Sequence, residues 1–126
     1  ISYSQEFYFA GKTDFTISVI SSVNLTVVNV LSSTSLQSVR DMIFLQNGQM
    51  LVVASPDNNN LVFFNRSSTS ASQYSFAYSR ATSYLAPHGL WPVSDSFFYA
   101  TSWTRNSVYA YSTTNYVTWT ESLFIN

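Results

Sequence analysis

One pattern of residues occurs three times in this 126-residue chain, and it constrains the fold more than any other feature. In each copy an apolar run ends in an alanine, a short polar stretch follows, and a second apolar run begins. The alanines are Ala10, Ala54 and Ala100, so the copies are 44 and 46 residues apart. This alignment predicts that the three alanines occupy equivalent positions in three repeats of one structural unit.

The pattern predicts antiparallel hairpins, because polar turn residues separate runs that are rich in β-branched and aromatic residues. The predicted second strands are 15–20, 61–65 and 107–112, and one outer strand follows each hairpin at 23–31, 74–78 and 116–124. Inner strands are predicted at 42–45 and 90–93. Only residues 1–5 precede the first hairpin, so no inner strand is expected there. Pro92 lacks a backbone N–H that could donate to a ladder, so we expect it at an unpaired point of the inner strand.

Four antiparallel strands in each period of roughly 40 to 50 residues are typical of β-propeller blades. We therefore predict an all-β fold, an incomplete propeller of four-stranded blades. Residues 1–126 form a single segment in this interpretation, with blade-like units at about 1–38, 39–84 and 85–126. The alternative is a β-sandwich or jelly roll, which also has short strands and polar turns. The regular repetition of strand order favours the propeller.

The segment LVVASPDNNNLVFF (51–64) resembles the NHL-type blade pattern, and FFYATSWTRNSVYAY (97–111) is more loosely similar to it. Residues 87–90 (PHGL) also resemble the segment that opens such a blade. The family usually has an Asp after the alanine, whereas this chain has Gly11, Ser55 and Thr101. The resemblance covers most of residues 6–124 and implies a propeller built from such blades.

About two and three-quarter blades are fewer than the four or more that close a propeller. The faces of the end blades would then be broad apolar surfaces, which favours association. The expected partners are other propeller blades, supplied either by the remainder of a larger protein or by identical chains. A start within a blade favours the larger protein.

Composition narrows the classes of partner. Five Lys and Arg against six Asp and Glu give a net charge of −1, which provides no basic surface for nucleic acid. The chain has no cysteine, so disulfides and thiolate sites are excluded. No apolar run approaches the roughly 18 residues of a membrane helix. Asn24 (NLT) and Asn65 (NRS) match the N-glycosylation acceptor pattern. With the low content of charged residues, they lead us to expect an extracellular or secreted protein.

The sequence favours no catalytic site and no cofactor. His88 is the only histidine, and no nucleophile motif surrounds it. Its expected place is the mouth of the central channel, or a turn that it stabilises through a hydrogen bond. The acidic residues are scattered, so no metal site is predicted. The three glycines stand far apart, so no phosphate-binding loop is predicted.

Aromatic chemistry gives the better binding candidates. Trp103 and Arg105 lie in a polar turn that should share one face of the propeller with His88, Asp57 and Asn58. An exposed tryptophan beside amides and charges suits sugar recognition or a protein interface, and the remaining alternative is a lid over the blade edge.

The two other tryptophans, Trp91 and Trp119, are expected to pack between blades. The leading hypothesis is a non-enzymatic extracellular propeller segment that serves assembly or binding. The alternative is a lectin-like carbohydrate-binding module, and a propeller hydrolase or lyase is the least favoured.

Overall fold

A computed structural model of the chain describes the backbone of residues 2–3 and all atoms of residues 7–67 and 73–126. These residues form twelve β-strands and one turn of 3-10 helix at Pro56–Asn58. The strands are β1 (Ser2–Tyr3), β2 (Phe7–Gly11), β3 (Ile17–Ser21), β4 (Val27–Leu31), β5 (Asp41–Leu45), β6 (Met50–Ser55), β7 (Asn60–Arg66), β8 (Tyr74–Ala81), β9 (Pro87–Ser94), β10 (Phe97–Ser102), β11 (Ser107–Ser112) and β12 (Thr120–Ile125).

The strands form three separate four-stranded antiparallel sheets, each connected as a simple meander. Their orders are β1-β2-β3-β4, β5-β6-β7-β8 and β9-β10-β11-β12. The predicted four-stranded unit is therefore confirmed. The expectation that the first unit has no inner strand is wrong, because Ser2 pairs with Phe9 and Tyr3 with Tyr8. Two residues are enough to add a short inner strand.

Two outer strands, β4 and β12, begin four residues later than predicted, because hydrogen-bonded turns precede them. Leu25 has φ of 58° and its N–H donates to the carbonyl of Ser21, so β4 starts only at Val27. Before β12, the side chain of Asn115 accepts hydrogen bonds from the N–H groups of Val117 and Thr118, both at 2.9 Å. These side-chain bonds compete with strand pairing, as short polar residues often do.

Pro92 was predicted at an unpaired point but has a partner on β10, and the irregularity in the ladder between β9 and β10 lies next to it. Pro92 is opposite Phe98, but Ser94 is opposite Phe97, so Val93 forms a bulge. A residue without an N–H is tolerated at such a position because one ladder bond is already lost.

The middle sheet is covered by apolar packing on both faces. Every residue of β6 is buried, and successive residues alternate between two clusters. Val52 and Ala54 belong to the cluster shared with the third sheet, and Leu51 and Val53 belong to the cluster shared with the first. A strand that is buried on both faces needs an uninterrupted apolar run, which explains the sequence MLVVA.

The sheets follow one another as consecutive blades of an incomplete propeller. The inner strand β9 of the third sheet contacts β5 and β6 of the second, and the outer strands β4 and β8 contact each other. The alternative of a sandwich predicted two sheets enclosing one core. Instead, three sheets enclose two successive cores.

The three alanines are not in equivalent positions, contrary to the expectation, because the alignment of the second repeat is shifted by one residue at Ala54. Ala54 and Ala100 both lie in the cluster between the second and third sheets, so they point toward each other's sheet. Ala10 follows Phe9, which faces the second sheet, so Ala10 points away from that sheet. Ala54 therefore points in the opposite direction to Ala10 and Ala100 around the series. Alanine fits either face of a strand that is buried on both, so the pattern does not specify the register.

The two tryptophans predicted to pack between blades have different environments. Trp119 is buried between the second and third sheets, with its ring stacked on Phe63 at 5.7 Å and edge-on to Phe98 at 5.1 Å. Trp91 is 70% exposed, so the prediction for it is wrong in this chain. Because Leu90 points toward the second sheet, Trp91 points to the open side of the third sheet.

Candidate functional site

The predicted binding residues lie at one end of the sheets, where β6 turns into β7 and β10 turns into β11. The loops that lead into the inner strands reach the same end. The N–H of Arg40 donates to the carbonyl of Ala54, and the N–H of Trp103 donates to the carbonyl of Ala86. Trp103, in the turn after β10, is thereby held close to the start of β9, which carries His88.

His88 and Trp103 form an aromatic pair on this surface. Their rings are stacked with centroids 5.0 Å apart and an interplanar angle of 25°. The Nε of Arg40 donates a hydrogen bond to His88 Nε2 at 2.6 Å. Trp103 is 69% exposed and is not folded into the core. The pair combines a flat apolar surface with hydrogen-bonding groups at its edge.

A shallow cavity of about 350 Å³ adjoins this pair. Its lining includes His88, Trp103, Thr101, Asn106 and Val108. This volume is near the lower limit of small-molecule pockets, which are commonly 300–1,000 Å³. The cavity offers an indole ring, an amide and a hydroxyl to a ligand.

Arg105, Asp57 and Asn58 do not join the aromatic pair through any hydrogen bond that the described residues show. Arg105 is exposed in the same turn as Trp103, and its N–H donates to Ser102 Oγ. Asn58 uses its amide locally: Nδ2 donates to the carbonyl of Ser35 at 2.7 Å. Asp57 is exposed in the neighbouring turn. The structure thus brings together His88 and Trp103, with Arg105 beside them.

A serine at the end of β6 and another at the end of β10 were not among the residues predicted from the sequence. Ser55 and Ser102 are both buried. Ser55 Oγ accepts hydrogen bonds from the N–H groups of Gln37 and Ser38, and Ser102 Oγ donates to the carbonyl of Leu85 at 2.8 Å. Each serine therefore attaches the incoming loop to its own sheet.

An asparagine four residues after each of these serines completes the motif. Asn59 and Asn106 end their turns with φ of 55° and 49°, in the left-handed region that asparagine tolerates. The pattern Ser-x-x-x-Asn occurs with a spacing of 47 residues, which is the structural period between the second and third sheets. This signal was present in the sequence and would have corrected the alanine alignment.

A second feature missed from the sequence is a polar network between the second and third sheets. Glu121 accepts hydrogen bonds from Arg80 Nη1 at 3.0 Å, from the Tyr111 hydroxyl at 2.5 Å and from the Ser83 hydroxyl. The Tyr111 hydroxyl is also hydrogen-bonded to that of Tyr84 at 3.0 Å. The Glu121 side chain is 7% exposed and both tyrosines are buried, whereas Ser83 is exposed, so the network reaches from the core to the surface.

The electrostatics of this network follow from its burial and its hydrogen bonds. Burial raises the pKa of the Glu121 carboxyl, but hydrogen bonds from Ser83 and Tyr111 and the charge of Arg80 lower it more. The net result is a pKa below the ordinary value. Burial and the neighbouring Tyr84 hydroxyl raise the pKa of Tyr111. The carboxylate therefore stays charged and the phenol stays protonated at neutral pH.

Both predicted glycosylation positions are exposed. Asn24 lies in the turn before β4, and its Oδ1 accepts a hydrogen bond from Thr26 Oγ1 at 2.7 Å. Asn65 lies near the end of β7. Whether these positions are modified stays a prediction.

The described residues show neither a candidate metal site nor a candidate membrane-spanning helix. Across residues 7–67 and 73–126, no three His, Asp or Glu side chains come together in a metal-binding arrangement. No helix in this part of the chain has the length and apolar character to cross a membrane.

One of the solved structures similar to this chain is described as a β-propeller domain. The β-propeller domain of Cps50 (Swd1) from Myceliophteria thermophila superposes with a TM-score of 0.71 at 12% sequence identity, over 89% of this chain and 38% of that one. A functionally unknown protein from Desulfotomaculum acetoxidans superposes with a TM-score of 0.76 at 13% identity, over 97% of this chain and 37% of that one.

These similarities support the fold and nothing finer. No protein-family description matches the sequence, and no curated protein is significantly similar to it. The resemblance to NHL blades therefore stays a prediction. The chain spans less than two fifths of the length of the solved structures above. It has the fold of part of a β-propeller.

Proposed function

We propose that this chain is a non-enzymatic propeller segment whose open sheet faces serve protein assembly. The observation that carries the proposal is the apolar surface on the open side of the third sheet. Trp91 is exposed there, and Phe124 packs on Tyr99 with ring centroids 4.7 Å apart while remaining 54% exposed. Large apolar side chains grouped on one sheet face mark interaction surfaces.

The first sheet has a similar open face. Phe9 faces the second sheet, so the neighbouring Tyr8 points outward, and Val30 on β4 is exposed. Each large apolar side chain that a partner covers contributes roughly 1.5–3 kcal/mol. The three sheets therefore have an open apolar face at each end, which favours association at both ends.

The partner that best fits these faces is another propeller blade. The middle sheet shows how such a face is covered, since blades pack on both of its sides. The occupant is either a further blade of a longer chain or the end blade of an identical chain. Similarity to a β-propeller domain and to a second solved structure, each more than twice as long as this chain, supports the first source.

The assembly surface can be tested by removing its exposed rings. The double substitution Trp91→Ser and Phe124→Ser should lower the mass of the purified 126-residue chain measured by light scattering. Trp103→Ser is the matched control, because Trp103 is equally exposed but lies in a turn. A monomeric wild-type chain, or an equal loss of mass in the control, would contradict the proposal.

An extracellular location is part of the proposal and rests on the two acceptor sites. Asn24 and Asn65 are both exposed, as glycosylation requires. Mass spectrometry of the native protein should find a glycan on at least one of them. Two unmodified asparagines would remove the support for secretion.

Carbohydrate binding is the second candidate, and the stacked His88–Trp103 pair beside a cavity favours it. An exposed indole can stack on the apolar face of a sugar while amides bond its hydroxyl groups. A glycan array with the wild type and Trp103→Ala tests this. Sugar signals that persist unchanged in the variant, or no signals at all, would reject the lectin hypothesis.

A further inference from the structure

A second cavity lies at the opposite end of the sheets, between the second and third blades. Its volume is about 370 Å³. Three segments line it: the β5–β6 turn, the end of β7 and the turn before β12. The lining residues are Gln46, Gln49, Met50, Asn65, Arg66, Asn115, Tyr116 and Val117. The cavity is therefore remote from the His88–Trp103 pair and from the open sheet faces.

Two polar nitrogens belonging to this lining have no hydrogen-bond acceptor among the described residues. They are Nε2 of Gln46 and Nε of Arg66, and both atoms are buried. A buried donor without a partner is costly, and it is rare in native proteins. Arg80 shows the usual solution, since its guanidinium bonds to Glu121 and to the carbonyls of Trp119 and Ala81.

Asn115 is also part of the lining, and its side chain is already engaged in its own turn. The Oδ1 of Asn115 accepts from backbone N–H groups in its own turn, and its Nδ2 donates to Thr118 Oγ1 at 2.9 Å. Asp95 Oδ1 accepts from the backbone N–H of Gln46 at 2.9 Å. Two of the lining residues, Gln46 and Arg66, therefore each have one buried nitrogen without an acceptor among the described residues.

We propose that this cavity binds the carboxylate of a glutamate side chain from a partner protein. Arg66 provides one positive charge, which matches a carboxylate better than a doubly charged phosphate. The Nε edge of a guanidinium can bond both carboxylate oxygens when the side chain turns toward the ligand. Such rotamer changes are common at interfaces.

The apolar part of the lining fits the rest of a glutamate side chain. Met50 and Val117 provide aliphatic walls for its methylene groups, and Tyr116 provides a partly exposed ring. The match between these aliphatic walls and the methylene groups of the side chain favours the peptide. This site goes beyond assembly through the sheet faces and does not depend on it.

The test uses isothermal titration calorimetry with the 126-residue chain produced without glycosylation. The probe is the blocked tripeptide acetyl-Gly-Glu-Gly-amide, and the matched probe has Gln in place of Glu. We expect the Glu peptide to bind and the Gln peptide to bind about tenfold more weakly or not at all, because the charge-assisted hydrogen bonds are lost. Equal binding of the two probes, or no binding of either, would overturn the proposal.

Variants locate the site. Arg66→Gln should weaken binding of the Glu peptide about tenfold or more, whereas Lys12→Gln should leave it unchanged because Lys12 is exposed in the turn between β2 and β3. Gln46→Met removes the second donor and should weaken binding several-fold. Circular dichroism of each variant establishes that it is folded, and Gln46→Met serves if Arg66→Gln is not. Unchanged affinity in the folded variants would refute the site.

Two further probes distinguish the sources of negative charge. Sodium glucuronate carries a carboxylate on a sugar ring, and inorganic phosphate carries a larger charge without carbon. Both should bind more weakly than the Glu peptide. Tighter binding of glucuronate would reject the peptide in favour of an acidic sugar, and tighter binding of phosphate would reject the carboxylate.

Discussion

Replacing Glu121 by alanine should destabilise the contact between the second and third blades more than other substitutions of charged residues at the surface. The carboxylate is 7% exposed and accepts hydrogen bonds from Arg80, Tyr111 and Ser83. Removing one member of a buried ion pair typically costs 3–5 kcal/mol. The Arg80 side chain is 28% exposed, so water can partly solvate it after the change. We therefore expect a loss of about 3 kcal/mol.

Urea denaturation followed by tryptophan fluorescence measures this loss, because Trp119 packs in the same interface. The corresponding fall in melting temperature is about 10 °C for a domain of this size. Glu121→Gln keeps the shape and one acceptor, so it should cost roughly 1–2 kcal/mol. Asp14→Ala is the control, because its ion pair with Lys12 is exposed and its loss should leave the midpoint unchanged. A loss below about 0.5 kcal/mol in Glu121→Ala would refute the reasoning.

Three further predictions concern pH, close packing and the aromatic core. The pKa of Glu121 is lowered on folding, so its contribution to stability is complete above the ordinary value of 4.5 and is lost as pH falls through the folded value. The stability of wild type and of Glu121→Gln, plotted against pH, should therefore converge in acid. Parallel curves would contradict this. Gly11→Ala places a methyl group 2.5 Å from Val39 Cγ1, so the variant should lose about 1–3 kcal/mol in the free energy of unfolding and melt at a lower temperature. An unchanged melting temperature would show that Val39 can move aside. Trp119→Ala removes a buried ring whose Nε1 donates to the Tyr78 hydroxyl at 2.8 Å. Urea denaturation should show a loss of about 3–5 kcal/mol in the free energy of unfolding, and a smaller loss for Trp119→Phe. Equal losses would mean that ring packing contributes little.

The hairpins and the blade repetition were predictable from the sequence because the signals are local, whereas the short strand β1 was not predicted. Polar turn residues separate runs of β-branched and aromatic residues, and hairpins form between neighbours in the chain. The exposure of Trp103 was predictable for the same reason, since it lies within a polar turn. Boundaries were less accurate where side chains such as Asn115 bond to the backbone and form a turn before the next strand.

The functional geometry was only partly predictable. Trp103 and Arg105 share one turn, so their proximity follows from the sequence. The pairing of His88 with Trp103 and Arg40 depends on how a loop and two sheets meet. Asn58 was expected to be available for ligands, but its amide bonds to Ser35, and no local pattern indicated this.

By itself, the sequence determined an all-β chain with four-stranded repeats, because alternation and turn chemistry act over a few residues. Only the tertiary structure decided which face each side chain takes and which charges meet. Trp119 is buried because another blade covers it, and Trp91 is exposed because none does. Arg80 meets Glu121, 41 residues away, whereas Arg66 has no acceptor for its Nε in the described residues. Such differences depend on packing between distant segments, and residue type alone does not encode them.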